Sequence, residues 1–188
     1  QLIAEGTSVN VTLLFARAAY DAAAEAYLAG LEARLASGGD VSSIASVASF
    51  FVSRIDTAVD ALLEEKLATP EGVDAEKVRA LRGKVAIANA KLAYASFQES
   101  IEGSRWQKLA AAGARPQRLL WASTGTKNPA YRDVLYVEEL IGPDTVNTLP
   151  PATLDAFRDH GRARATLADD VNGAKVVLAE LEKSGIRL

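Results

Sequence analysis

RPQRLLWASTGTKNPAYRDVLYVEELI, residues 115–141, is the stretch whose reading decides the fold. Pro116 stands at the entry to a short apolar run, RLLWA, which has the length and composition of a strand. The run ends in the turn-forming STGT, and Asn128 followed by Pro129 then reads as an N-cap and an N1 proline, predicting a helix from that point. Strand then helix is therefore the local order. Downstream, GPDTVNTLPPATLDAFRDHG (142–161) repeats it, with a short strand at about Thr145 to Leu149 and a helix opened by Pro150 and Pro151. VNGAKVVLAELEKSGI (171–186) closes the chain as an amphipathic helix with Val171, Ala174, Leu178 and Leu181 inward.

Upstream the same order appears twice more. SVNVTLLF (8–15) reads as a strand and residues 16–36 as a helix, with Tyr20, Ala24, Tyr27 or Leu28, Leu31 and Leu35 at helical spacing. SSIASVASFFVSRI (42–55) supplies the next strand, and Asp56 is a plausible N-cap for the helix TAVDALLEEKL. TPEGVD (69–74) breaks the chain, and from Asp74 a long helix is expected through Val78, Leu81, Val85, Ala88, Leu92 and Ala95. Four strand-helix units argue for an α/β protein with parallel strands, because parallel neighbours need crossover helices. In QLIAEGT (1–7), Gly6 is placed as a helix C′ residue, and with Gln1 first and no methionine anywhere a preceding segment is expected.

Composition narrows the chemistry. The 188 residues are 49% hydrophobic and 24% charged, so the chain is expected to be a soluble globular domain rather than disordered or membrane-embedded. With no cysteine and the single histidine His160, thiolate chemistry, disulfides and multi-histidine metal sites are excluded or strongly disfavoured. The net charge of −3 shows no basic face for nucleic acid, and QLIAEG lacks the basic start of a signal peptide, so the cytosol is the default expectation.

Period-two alternation sets Ser8, Asn10 and Thr12 on one face of the first strand and Val9, Val11 and Leu13 on the other. The second strand gives Ser49, Phe51 and Ser53 against Phe50 and Val52; the third adds Trp121 and Ser123, the fourth Thr145 and Asn147. Each such hydroxyl alone is explained by bonding to nearby backbone. Repetition over four strands instead suits a barrel whose inner, polar strand ends form a site. Arg54 and Lys127 stand at strand exits just before predicted helix N-termini, where anions such as phosphate bind readily. The bland alternative pairs Arg54 with Asp56 or Asp60 and leaves Lys127 solvated.

Taken together, SVNVTLLF, SFFVSRID and LLWASTGTKNPAYRDVLYVEELIGPDTVNTLPPATLDAF resemble the transaldolase family, in order and over essentially all of residues 1–188. The likeness is to the second half of that family's (β/α)8 TIM barrel, strands five to eight, so the chain is expected to supply four βα units plus a C-terminal helix as one domain piece. The resemblance implies a cytosolic transferase of the pentose phosphate pathway. It moves a dihydroxyacetone unit from sedoheptulose 7-phosphate to glyceraldehyde 3-phosphate, giving erythrose 4-phosphate and fructose 6-phosphate through a lysine Schiff base, with no metal or organic cofactor.

Carried onto this sequence, the resemblance implies that Asn10, Ser49 and Phe51 contact substrate and that Thr12 holds the catalytic water. It further implies that Arg54 and Ser123 hold phosphate, with Lys127 standing near where many relatives have arginine. The family's Schiff-base lysine and catalytic Asp and Glu fall before Gln1, so residues 1–188 alone are expected to be inactive and to need the N-terminal half as partner. Two alternatives stand beside this: another Schiff-base sugar-phosphate aldolase, and a non-catalytic sugar-phosphate-binding or assembly module. No nucleic acid, membrane or metal partner is implied.

Overall fold

The computed structural model describes residues 1–68 and 74–188. Four strands, β1 (Val9–Leu14), β2 (Ser46–Phe51), β3 (Arg118–Ala122) and β4 (Thr145–Asn147), form one sheet in chain order, every neighbouring pair parallel. Between and after them run α1 (Arg17–Ala36), α2 (Ser53–Ala68), α3 (Ala75–Leu81), α4 (Val85–Glu102), α5 (Ser104–Ala111), α6 (Leu135–Glu139), α7 (Pro151–His160) and α8 (Val171–Lys183).

Side chains alternate across the sheet, and one face carries the core. Leu14, Ala48, Phe50, Leu119 and Trp121 pack there against Val59 and Leu63 of α2, Ala86 and Ala90 of α4, Tyr136 of α6 and Leu181 of α8. Trp121 is fully buried, its ring edge-on to Phe50 with centroids 6.1 Å apart. The other face, carrying Asn10, Val47, Ser49, Phe51, Leu120 and Val146 in register, has none of these helices on it. An open parallel sheet buries both faces under helices, whereas a barrel's inner face is covered by opposing strands. Sequential parallel strands helix-covered on one side are thus part of a (β/α)8 barrel, with the bare face as its interior.

Several expected boundaries move. The helix after β2 starts at Ser53, so Asp56 lies in its first turn and is not its N-cap. The long helix from Asp74 is two helices, α3 and α4, split at Gly83, whose φ of +67° is a left-handed conformation that glycine adopts without strain. Asp74 does cap α3, accepting from the Lys77 N–H at 3.3 Å; the rest of the expected TPEGVD break, 69–73, lies outside the described residues. Asn128 folds a tight turn, its side chain accepting from the Ala130 N–H at 2.9 Å, and the helix waits until Leu135. α5 was not expected; Arg105 fastens it to α1 by forked bonds to Glu32 and Glu25 at 2.6 to 2.8 Å. At the start of the chain Gly6 takes the left-handed conformation expected of a C′ residue, φ +94°, but closes a turn and not a helix, with Thr7 N–H bonded to the Leu2 carbonyl and Gly6 N–H to that of Ile3. Among the described residues no helix is long and apolar enough to cross a membrane.

Candidate functional site

On the bare face the polar residues of β1 and β2 meet, Asn10 one residue in from the amino end of β1 and Ser49 midway along β2. Asn10 pairs in register with Val47, which brings it diagonally beside Ser49, and the Ser49 hydroxyl donates to Asn10 Oδ1 at 2.7 Å. With its oxygen so engaged, the exposed Asn10 amide has its N–H donors left for a carbonyl or hydroxyl oxygen. Thr12 follows on the same strand and is exposed.

Alternation breaks immediately after Thr12. The register slips between Val11 and Leu14, and Leu13, at φ +61°, stands 58% exposed instead of joining Val9 and Val11. Leu14 takes the buried place, so the extra residue is a β-bulge that re-aims the strand end. Phe15 follows, its ring 5.3 Å from that of Phe51 and its carbonyl accepting 2.7 Å from the buried Asn89 amide of α4.

Phe51 in turn underlies Arg54, whose guanidinium carbon sits 5.1 Å from the ring centroid. Arg54 is the second residue of α2 and is exposed, at the helix end where N–H groups lack intrahelical partners and the dipole favours an anion. It does not pair with Asp56 or Asp60, which are buried and otherwise occupied. Asp56 accepts from the Ala86 N–H and the Tyr136 hydroxyl, both at 2.8 Å; Asp60 accepts from the Gly83 N–H at 3.3 Å and the Tyr131 hydroxyl at 2.5 Å. Burial pushes the Asp56 carboxyl up to about 6, against the opposing pull of those two hydrogen bonds and with a smaller push from Asp60.

Ser123 follows β3 with φ +58°, and its hydroxyl lies 2.9 Å from that of Ser53. The remaining cation and the other polar strand ends are placed differently from expectation. Lys127 is exposed on the loop after Ser123, eight residues short of α6, so it does not stand at a helix N-terminus. Trp121 belongs to the helix-covered core, and Thr145 and Asn147, in register with Leu119 and Trp121, share its side of the sheet. Thr145 bonds the Gly142 carbonyl at 2.8 Å, and Asn147 Oδ1 accepts from Thr124 at 2.7 Å. Ser53 starts α2 rather than continuing β2. Gly125 lies close against α7, where a Cβ would come within 3.0 Å of Thr153 Oγ1.

His160 ends α7 and bonds Asp133 at 2.8 Å and Asp159 at 3.1 Å, contacts that raise its pKa. A concavity of about 570 Å³ opens at the amino ends of the strands, lined by Ser8, Asn10, Ser46, Val47, Arg115 and Arg118, so that Asn10 borders it as well as bonding Ser49. The helices of a parallel βα sheet begin at the carboxyl ends of the strands, so this concavity lacks their anion-favouring termini. The residues missed by sequence reasoning are Phe15 and Asn89. Asn89 left a signal, a polar residue on an otherwise apolar helix face.

A family model described as transaldolase/fructose-6-phosphate aldolase matches residues 1–188. The chain is 54% identical to the transaldolase of Trichodesmium erythraeum over 190 residues, covering 100% of this chain and 50% of that protein. It is likewise 54% identical to transaldolase 2 of Nostoc punctiforme (100% and 50%) and to the transaldolase of a Parafrankia species (98% and 48%). The chain spans about half the length of the curated relatives it matches.

Proposed function

Since the chain belongs to the transaldolase/fructose-6-phosphate aldolase family, we propose that it supplies the phosphate-holding half of a transaldolase site. The reaction in this reading passes a dihydroxyacetone unit between sugar phosphates through a lysine Schiff base in the pentose phosphate pathway, in the cytosol. The observation that carries it is Arg54, a cation with no carboxylate partner among the described residues, stacked on Phe51 at the start of α2 on the bare face of the sheet. Phosphate bound there gains the guanidinium fork and the helix terminus together.

Asn10 and Ser49 take the sugar oxygens deeper along the strands, Thr12 holds water, Phe51 walls the site, and Ser123 with Lys127 completes the phosphate end. The amine and the acid-base carboxylates come from the portion of the relatives that this chain does not match. A half-barrel from that portion closes the bare face and the free edges of β1 and β4, which in isolation would recruit other chains. The family description also includes an aldolase that releases its carbon unit, but the relatives reported above are all named transaldolases.

Arg54→Ala tests this in the full-length protein. A lost charge-assisted contact of this kind is expected to raise KM for phosphorylated substrates about 30-fold with kcat little changed. An unaltered KM in steady-state assays would remove Arg54 from the site.

A further inference from the structure

We propose that Ser53 is a positioning residue that sets the phosphate end of the site, acting on Ser123 and Arg54 rather than on substrate. Ser123 is a non-glycine residue at φ +58°, a left-handed conformation that L-residues reach only when their surroundings hold them there. Ser53 supplies the hold. Its N–H donates to the Ser123 carbonyl at 2.9 Å, and its hydroxyl shares a 2.9 Å hydrogen bond with the Ser123 hydroxyl.

Ser53 is itself fixed. It is 1% exposed, the preceding Val52 N–H bonds the Ala122 carbonyl at 3.0 Å, and its own carbonyl accepts from Thr57 at 2.9 Å. A hydroxyl so far from solvent has the Ser123 hydroxyl as its partner, and losing either leaves the other short of a bond. Ser53 is also covalently joined to Arg54. One buried side chain therefore couples the end of β3 to the first turn of α2, and so fixes where the Ser123 hydroxyl and the Arg54 guanidinium stand relative to each other.

The inference rests on the reading of Arg54 and Ser123 as phosphate ligands, and its test separates the two. Full-length wild type, Ser53→Ala, Ser123→Ala, Arg54→Ala and the double variant Ser53→Ala/Ser123→Ala are assayed with D-glyceraldehyde 3-phosphate and with unphosphorylated D-glyceraldehyde as acceptors. Ser53→Ala is expected to raise KM for the phosphorylated acceptor about fivefold, the weight of one hydrogen bond, with kcat within about twofold and the unphosphorylated acceptor unaffected. In the Ser123→Ala background the Ser53→Ala effect should vanish, because the bond it removes is already gone.

Equal losses on both acceptors, or additive effects in the double variant, would show Ser53 to be merely structural and overturn the proposal. If Arg54→Ala and Ser123→Ala leave the preference for the phosphorylated acceptor unchanged, the phosphate reading itself is wrong and this inference falls with it. Should Ser53→Ala not fold, Ser53→Cys, a weaker donor of similar size, must show the same acceptor-selective rise in KM; an unchanged KM in that variant also overturns the proposal.

Discussion

Purified residues 1–188, without any further polypeptide, are expected to turn over no sugar phosphate above the uncatalysed rate, a loss of at least about 10⁶-fold against a working enzyme. Schiff-base chemistry needs a lysine amine that reaches the substrate carbonyl and is held away from water so that it can be neutral. Of the eight lysines, Lys66, Lys77, Lys91, Lys108, Lys175 and Lys183 lie on helices, Lys84 in the turn before α4 and Lys127 on the exposed loop. Strands, not helices, line the bare face where Asn10 and Ser49 meet, so no amine of this chain is directed to a carbonyl bound there. Lys91 is buried, yet it lies on α4, on the helix-covered side of the sheet, and is tied to Glu139 at 3.1 Å. Borohydride reduction in the presence of fructose 6-phosphate should accordingly leave the mass of 1–188 unchanged. Turnover together with a trapped adduct mapped to one of the eight lysines would sink this reading.

The parts of this fold legible beforehand are those that short-range patterns encode. β-branched and apolar runs marked β1 and β2, Pro116 marked the entry to β3, and Pro150 with Pro151 opened α7 where expected. What alternation cannot reveal is an inserted residue: the bulge at Leu13 follows the register against β2, a non-local fact, and it reverses that residue's face. Gly83 inside a run of helical spacing costs only about 1 kcal/mol as a helix residue, so the break there could not be told from a tolerated glycine. Asn128 was ambiguous for another reason, since the side-chain geometry that caps a helix also closes an isolated turn. In the site, residue types at strand ends were readable, whereas the Ser53–Ser123 contact depends on two chain segments 70 residues apart meeting at a left-handed backbone. The bland pairing of Arg54 failed because Asp56 and Asp60 turn inward to the helix-helix joint.

That joint governs the second large effect. Asp56 caps the start of α4 from a neighbouring helix through the Ala86 N–H, and its other oxygen takes the Tyr136 hydroxyl, so Asp56→Ala strands two buried polar groups and leaves a void. At pH 5 the expected cost is about 3 kcal/mol of unfolding free energy. Asp56→Asn behaves differently, because its carbonyl oxygen still accepts from Ala86 and its amide donates to the Tyr136 oxygen, while no charge is buried. The folded carboxyl titrates near 6, raised from 3.8 chiefly by burial, so the folded state holds its proton more tightly than the unfolded chain does. Stability from this group is therefore fully present below about pH 4, falls as pH rises toward and through 6, and levels off above about 7. The upward shift corresponds to about 3 kcal/mol over that window. The other groups facing Asp56, which are Asp60 on its own helix and the Tyr136 and Tyr131 hydroxyls whose pKa values are driven further up, remain in both proteins and cancel in the comparison. Denaturant unfolding of wild type and Asp56→Asn side by side should then show wild type losing ground to the variant by about 3 kcal/mol between pH 4 and pH 7. Parallel stability curves over that range would mean that Asp56 keeps one protonation state throughout and that its burial is compensated in a way the contacts to Ala86 and Tyr136 do not explain.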